Sequence, residues 1–115
     1  MDSMALSKQK MFEKQAEILK ALAHPLRLAI LELLGSGELC ACDIANKIGA
    51  ERTNASKHLA IMVSAGILTS RKEGLKVFYQ LRTPCVLDFL SCVNACLREH
   101  ALENQKILQQ LGGQA

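Results

Sequence analysis

The chain has 115 residues and carries 14 Lys and Arg against 11 Asp and Glu, a formal charge of +3. That length suits one domain, and a chain that is 50% hydrophobic can bury a core, which argues against wholesale disorder. No apolar run approaches the roughly 20 residues that span a bilayer, and the N-terminus lacks a signal-peptide core, so a cytoplasmic protein with no membrane partner is expected.

Residues 8–22 place Met11, Ile18, Leu19 and Leu22 at helical spacing between charges, which predicts an amphipathic first helix. Pro25 suits the first turn of a second helix, and His24 before it reads as a capping or surface residue. Leu26, Leu28, Ile30, Leu31, Leu33 and Leu34 make that helix apolar on most sides, hence central, and Gly35-Ser36-Gly37 stops it. A short third helix is expected over about 40–48, with Asp43 in its first turn and Gly49 at its end. Residues 50–53 form a tight connection in which Thr53 serves as N-cap. The fourth helix covers about 54–65, with Ala55, Leu59, Met62 and Val63 on its inner face.

The pattern then changes period. Residues 67–82 hold Ile67, Leu68, Val77, Phe78 and Tyr79 on either side of a polar turn centred on Glu73-Gly74, which predicts a β-hairpin. Thr83-Pro84 begins a long last helix reaching about Leu111, where Gly112-Gly113 ends it. No repeat or linker interrupts residues 1–115, so a single domain, mainly α with one β-hairpin, is expected.

Two short helices across a tight turn (40–65), followed by a hairpin (67–82), give the order of a winged helix-turn-helix. In that arrangement the second short helix enters the major groove of double-stranded DNA. The charge map agrees: between Lys47 and Arg82 there are seven basic residues against Glu51 and Glu73, so this window is far more positive than the chain as a whole. A solvated charged face is the plain alternative, but the cluster coincides with the helix-turn-helix and hairpin. Arg52, Thr53, Asn54, Ser56, Lys57 and His58 are the expected base-reading and backbone-contacting residues of the fourth helix, and Arg71, Lys72 and Lys76 those of the wing.

The segments ALAHPLRLAILELL (21–34), ELCACDIANKIG (38–49), NASKHLAIMVSAGIL (54–68) and RKEGLKVFYQL (71–81) resemble the ArsR/SmtB metal-sensing repressors. The most specific element is Glu38-Leu39-Cys40-Ala41-Cys42-Asp43, which is similar to the family's metalloid-binding signature. The resemblance implies a homodimer with the first and last helices (8–22 and 84–111) at its interface. It also implies repression of a resistance or homeostasis operon, relieved when an effector binds.

Five cysteines in a chain without a secretion signal are expected to be thiols, and an odd number cannot all pair internally. Cys40 and Cys42 are two residues apart, about 200° around a regular helix, but a half-formed first turn lets both sulfurs face one ion. Soft thiolates suit arsenite or antimonite, with cadmium, lead or zinc as alternatives, and no organic cofactor is expected. Some members of the family carry a third cysteine three residues after the pair, where this chain has Ala45; others supply N-terminal cysteines, and none precedes Cys40 here. Cys85, Cys92 and Cys96 remain as further donors. Their spacings of 7 and 4 put them within about 40° on one helical stripe, where packing in an apolar seam beside Phe89 and Val93 is the equal alternative. A second site known in the family, on the last helix, looks absent: His100 and Glu103 match half of it, but Leu87 and Phe89 stand where the other ligands belong.

The expected function is therefore a DNA-binding repressor released by thiol capture of a soft metal or metalloid, arsenite first. The main alternative keeps the fold and makes the thiols sense oxidant or reactive sulfur. A thiol enzyme with His24 or His58 as base is disfavoured, because no phosphate loop or nucleophile elbow is present and the chain leaves little room for a pocket.

Overall fold

The computed structural model describes residues 3–111. The chain divides between Thr83 and Pro84 into two compact units. The first unit begins with helix α1 (Ser3–Leu22), which starts five residues before the expected Lys8, because the segment from Ser3 holds good helix formers and no breaker. Among its described side chains only Ala21 and Leu22 are buried, while Leu6, Met11, Phe12, Ile18 and Leu19 are exposed. Helix α2 (Pro25–Leu34) has the bounds expected from its punctuation. Proline occupies the first turn, and His24 caps it from extended backbone, its Nδ1 accepting the Leu26 N–H at 3.1 Å.

Strand β1 (Leu39–Cys40) was not legible, since two residues cannot display a period. It converts the expected hairpin into a three-stranded antiparallel sheet, order β1-β3-β2, with Leu39 opposite Tyr79 and Cys40 opposite Phe78. Helix α3 (Ala41–Ile48) follows without a break and ends at Gly49, whose φ of 69° is left-handed. The Ala50 N–H then reaches back to the Ala45 carbonyl at 3.0 Å and closes the turn. Helix α4 (Arg52–Ser64) begins two residues early and is capped by Glu51, so Thr53 lies inside its first turn rather than before it. Strands β2 (Leu68–Glu73) and β3 (Lys76–Leu81) pair through the register Glu73 opposite Lys76. Their two-residue loop is thus Gly74-Leu75, one position beyond the expected centre, and Gly74 supplies the positive φ (62°) such a loop needs.

The core of this unit is made by Ile30 and Leu31 of α2, Ile44 of α3, Leu59 and Met62 of α4 and Leu68 of β2, all essentially inaccessible to water. Each such side chain contributes about 1.5–3 kcal/mol by its burial, so the short helices are held by packing more than by their own propensity. Val63, expected inside, is only half-buried.

The second unit is built on helix α5 (Val86–Gln110), preceded by Cys85 in helical backbone as its N-cap. No residue of α5 is buried. Phe89, Val93, Leu97, Ile107 and Leu111 are exposed, although they recur within about 80° around the helix axis. The expected stop at Gly112-Gly113 lies outside the described residues. No described helix is long and apolar enough to cross a membrane.

Candidate nucleic-acid interface and thiol pair

The three-residue connection Gly49-Ala50-Glu51 sets α4 against α3, and Ala55, Leu59 and Met62 seat it on the core. That seating turns Arg52, Thr53, Asn54, Ser56 and Lys57 outward, and all five are exposed. The N-cap of α4 makes no side-chain hydrogen bond, so no side chain of Glu51 covers the positive end of the helix. The result is a run of donors beside a helix N-terminus, suited to phosphate oxygens and base edges.

His58 departs from the expectation that it faces DNA. It is 9% exposed, because it lies one turn after Ala55 and one before Met62 and so shares their inward face. Its Nδ1 accepts a hydrogen bond from Arg27 Nε at 3.1 Å, and its ring lies against that of His24, centroids 4.3 Å apart. Arg27 Nη1 also reaches the carbonyls of Ala21 (3.3 Å) and Lys20 (3.5 Å). One guanidinium thus ties α4 to the end of α1 and the start of α2. Burial, and then the charges of His24, Arg27 and Lys57, push the His58 imidazole below its ordinary pKa, which keeps Nδ1 free to accept.

On the hairpin, Lys72 and Lys76 are exposed and form no ion pair among the described residues. Arg71 is paired within the protein. Its fork is bidentate on Glu38, Nη2 to Oε1 at 2.6 Å and Nε to Oε2 at 2.9 Å, while Nη1 meets Glu73 Oε2 at 2.7 Å. The guanidinium carbon also stands 4.6 Å from the centre of the Phe78 ring. With two carboxylates on it, Arg71 braces the residue preceding β1 against the wing. The same pairing holds the Glu38 carboxyl below its usual range and raises Arg71 further. Sequence reasoning missed Glu38 as a partner because 33 residues separate the two and no local pattern links them.

Cys40 is the last residue of β1 and the N-cap of α3, and is 4% exposed; Cys42, one residue into α3, is half-buried. The two thiols therefore straddle a strand-to-helix junction, which removes the rotational penalty of two positions in one regular helix. Cys85, Cys92 and Cys96 belong to the second unit and are exposed, and all five cysteines are free thiols. Among the described residues, no group of three or more His, Cys, Asp or Glu side chains is arranged to hold a metal.

The family model for bacterial regulatory proteins of the arsR family matches residues 24–70, from the cap of α2 into the wing. An uncharacterized HTH-type transcriptional regulator of Methanocaldococcus jannaschii is 39% identical over 84 residues, covering 72% of this chain and 94% of that protein. An arsenical resistance operon repressor of Staphylococcus xylosus is 39% identical over 83 residues, covering 72% and 76%. The homodimeric winged helix-turn-helix DNA-binding domain from Mycobacterium bovis aligns with a TM-score of 0.71 at 33% identity, over 82% of this chain and 87% of that one. The arrangement of α3, α4 and the hairpin described above is accordingly a winged helix-turn-helix.

Proposed function

Since the chain belongs to the arsR family of bacterial regulatory proteins, we propose that it is a transcriptional repressor, working as a homodimer on double-stranded operator DNA and released by a soft metal or metalloid. The DNA half of this reading is supported by the outward face of α4: Arg52, Thr53, Asn54, Ser56 and Lys57 enter the major groove, and Lys72 and Lys76 of the wing hold flanking phosphates. Dimerisation through α1 and α5 is supported by their bare apolar residues, which leave each helix with hydrophobic surface that a second copy can cover.

The observation that carries the effector half is the position of Cys40 and Cys42, on the strand-to-helix junction where the first helix of the helix-turn-helix begins. Arsenite exchanges its hydroxyls for thiolates there: each As–S bond formed releases one water, and no oxidation state changes. Cadmium, lead and zinc compete for the same two donors. Relief of repression requires the effector to favour the DNA-incompetent state by about 1–3 kcal/mol, a 5–150-fold loss of affinity.

The test is operator binding at one fixed salt concentration with arsenite, cadmium, zinc or the thiol oxidant diamide, on the parent chain and on Cys40→Ser, Cys42→Ser and Cys92→Ser. Loss of the arsenite response in the first two variants supports the reading. An unaltered response in both ends it, and a response to diamide alone transfers the thiols to redox sensing.

A further inference from the structure

We propose that the Glu38–Arg71 pair is a coupling element, through which occupation of Cys40 and Cys42 moves the wing off the DNA. The inference rests on the effector reading above and assigns its route within the molecule.

Three strand residues and Glu38, just before β1, close a ring around the junction. Cys40 is opposite Phe78 across β1 and β3, and Phe78 is opposite Arg71 across β3 and β2. Arg71 covers the Phe78 ring and grips Glu38 with two hydrogen bonds, and Glu38 stands two residues before Cys40. The thiol segment is therefore joined to the wing twice, by a backbone ladder and by a forked ion pair. It is joined to α4 by the remainder of α3 and, less directly, through β2, whose Leu68 shares the core with Leu59 and Met62.

The burial of Cys40 gives the ring its direction of action. Cys40 is 4% exposed as a residue, so for its thiol to share an ion with the half-buried Cys42 the junction between β1 and α3 has to open. Opening displaces Leu39 and Cys40 from Tyr79 and Phe78, and it draws the Glu38 carboxylate away from the guanidinium. Arg71 keeps Glu73 as a partner but loses its anchor outside the hairpin. The wing, with Lys72 and Lys76 near its tip, then keeps its anchorage at the base, through Ile67, Leu68 and Leu81, but loses the link that fixes its outer part. A bidentate pair fixes geometry closely, while a surface ion pair adds little to stability, so this pair is suited to setting the angle of the wing rather than to holding the fold.

The competing route runs from α3 to α4 and bypasses Glu38. Glu38→Gln and Arg71→Gln cut the pair from either side and are compared with the parent chain. Each is assayed for arsenite uptake by thiol titration and for operator affinity with and without saturating arsenite. The expected result is undiminished uptake in all three proteins, with the arsenite-induced loss of affinity at least fivefold smaller in both variants than in the parent. Tyr79 is the only tyrosine and there is no tryptophan, so intrinsic emission reports the β1–β3 contact directly. Arsenite should change it in the parent chain. If both variants release DNA by the same factor as the parent, the coupling is overturned while the effector reading stands. If the parent takes up arsenite and still holds its operator, the effector reading fails and this inference fails with it.

Discussion

Arg27→Met removes the donors that fasten the reader helix to the rest of the fold while leaving a stem of similar length to pack in their place. The loss is dominated by Nε on His58, a 3.1 Å bond from a charged donor to a buried acceptor, and bonds of that kind contribute about 1.5–3 kcal/mol. The hydrogen bonds to Ala21 and Lys20 are longer and partly exposed, and add little. The variant should therefore lose about 2 kcal/mol. His58→Leu should cost less, about 1 kcal/mol, because Arg27 keeps its carbonyl partners and water while leucine fills the imidazole's space. The double variant should be no worse than Arg27→Met alone, which sets a coupling energy of about 1 kcal/mol between the two sites. Urea unfolding followed by circular dichroism measures all four proteins, at pH 8 and at one protein concentration, so that any assembly equilibrium is held constant. Additivity of the two single losses to within about 0.5 kcal/mol would refute this coupling, since it would mean that Arg27 and His58 stabilise the fold independently.

Three further outcomes follow from the same geometry. His58 has its pKa lowered by folding, so the stability it contributes is complete above its unfolded pKa of about 6.5 and is lost as pH falls from there through the folded value; the urea midpoint should drop over that range, and the drop should shrink in His58→Leu. Lys72→Ala or Lys76→Ala should flatten the salt dependence of operator binding by about 0.9 for each phosphate no longer neutralised, hence about 1.8 for a dimer with two wings, whereas Arg71→Gln should flatten it by less than half as much; anisotropy titrations across a salt series decide this. Gly49→Ala meets no atom within 4 Å of the added methyl, so its cost is the left-handed backbone, about 1–2 kcal/mol, while Gly35→Ala, in right-handed backbone, should be close to neutral in thermal melts.

What the sequence displayed depended on whether a signal was local. The bounds of α2 were legible because proline, histidine and glycine act on their own backbone, and the hairpin was legible because alternation and a turn suffice to mark one. Glu51 as the cap of α4 was not, since it makes no capping hydrogen bond and Thr53 offered a better side chain for the role. His58 and Arg71 read as DNA contacts, one on the fourth helix and one on the wing. Their roles were decided by Arg27 and Glu38, 31 and 33 residues away, and no composition or periodicity reports a partner at that distance. Within the thiol pair the spacing was visible, but the strand that holds Cys40 exists only because β3 is there to pair with it.

The grip of Arg27 on the last carbonyls of α1 has a consequence for the operator. If two copies meet along α1, that guanidinium helps to set the stance of each α4 relative to the common axis. The separation of the two reading heads then depends in part on that side chain, and with it the choice between half-sites one helical repeat apart, roughly 34 Å, and half-sites a base pair closer or farther. A promoter selection run on Arg27→Met would show this as a relaxed spacer with unchanged half-site letters.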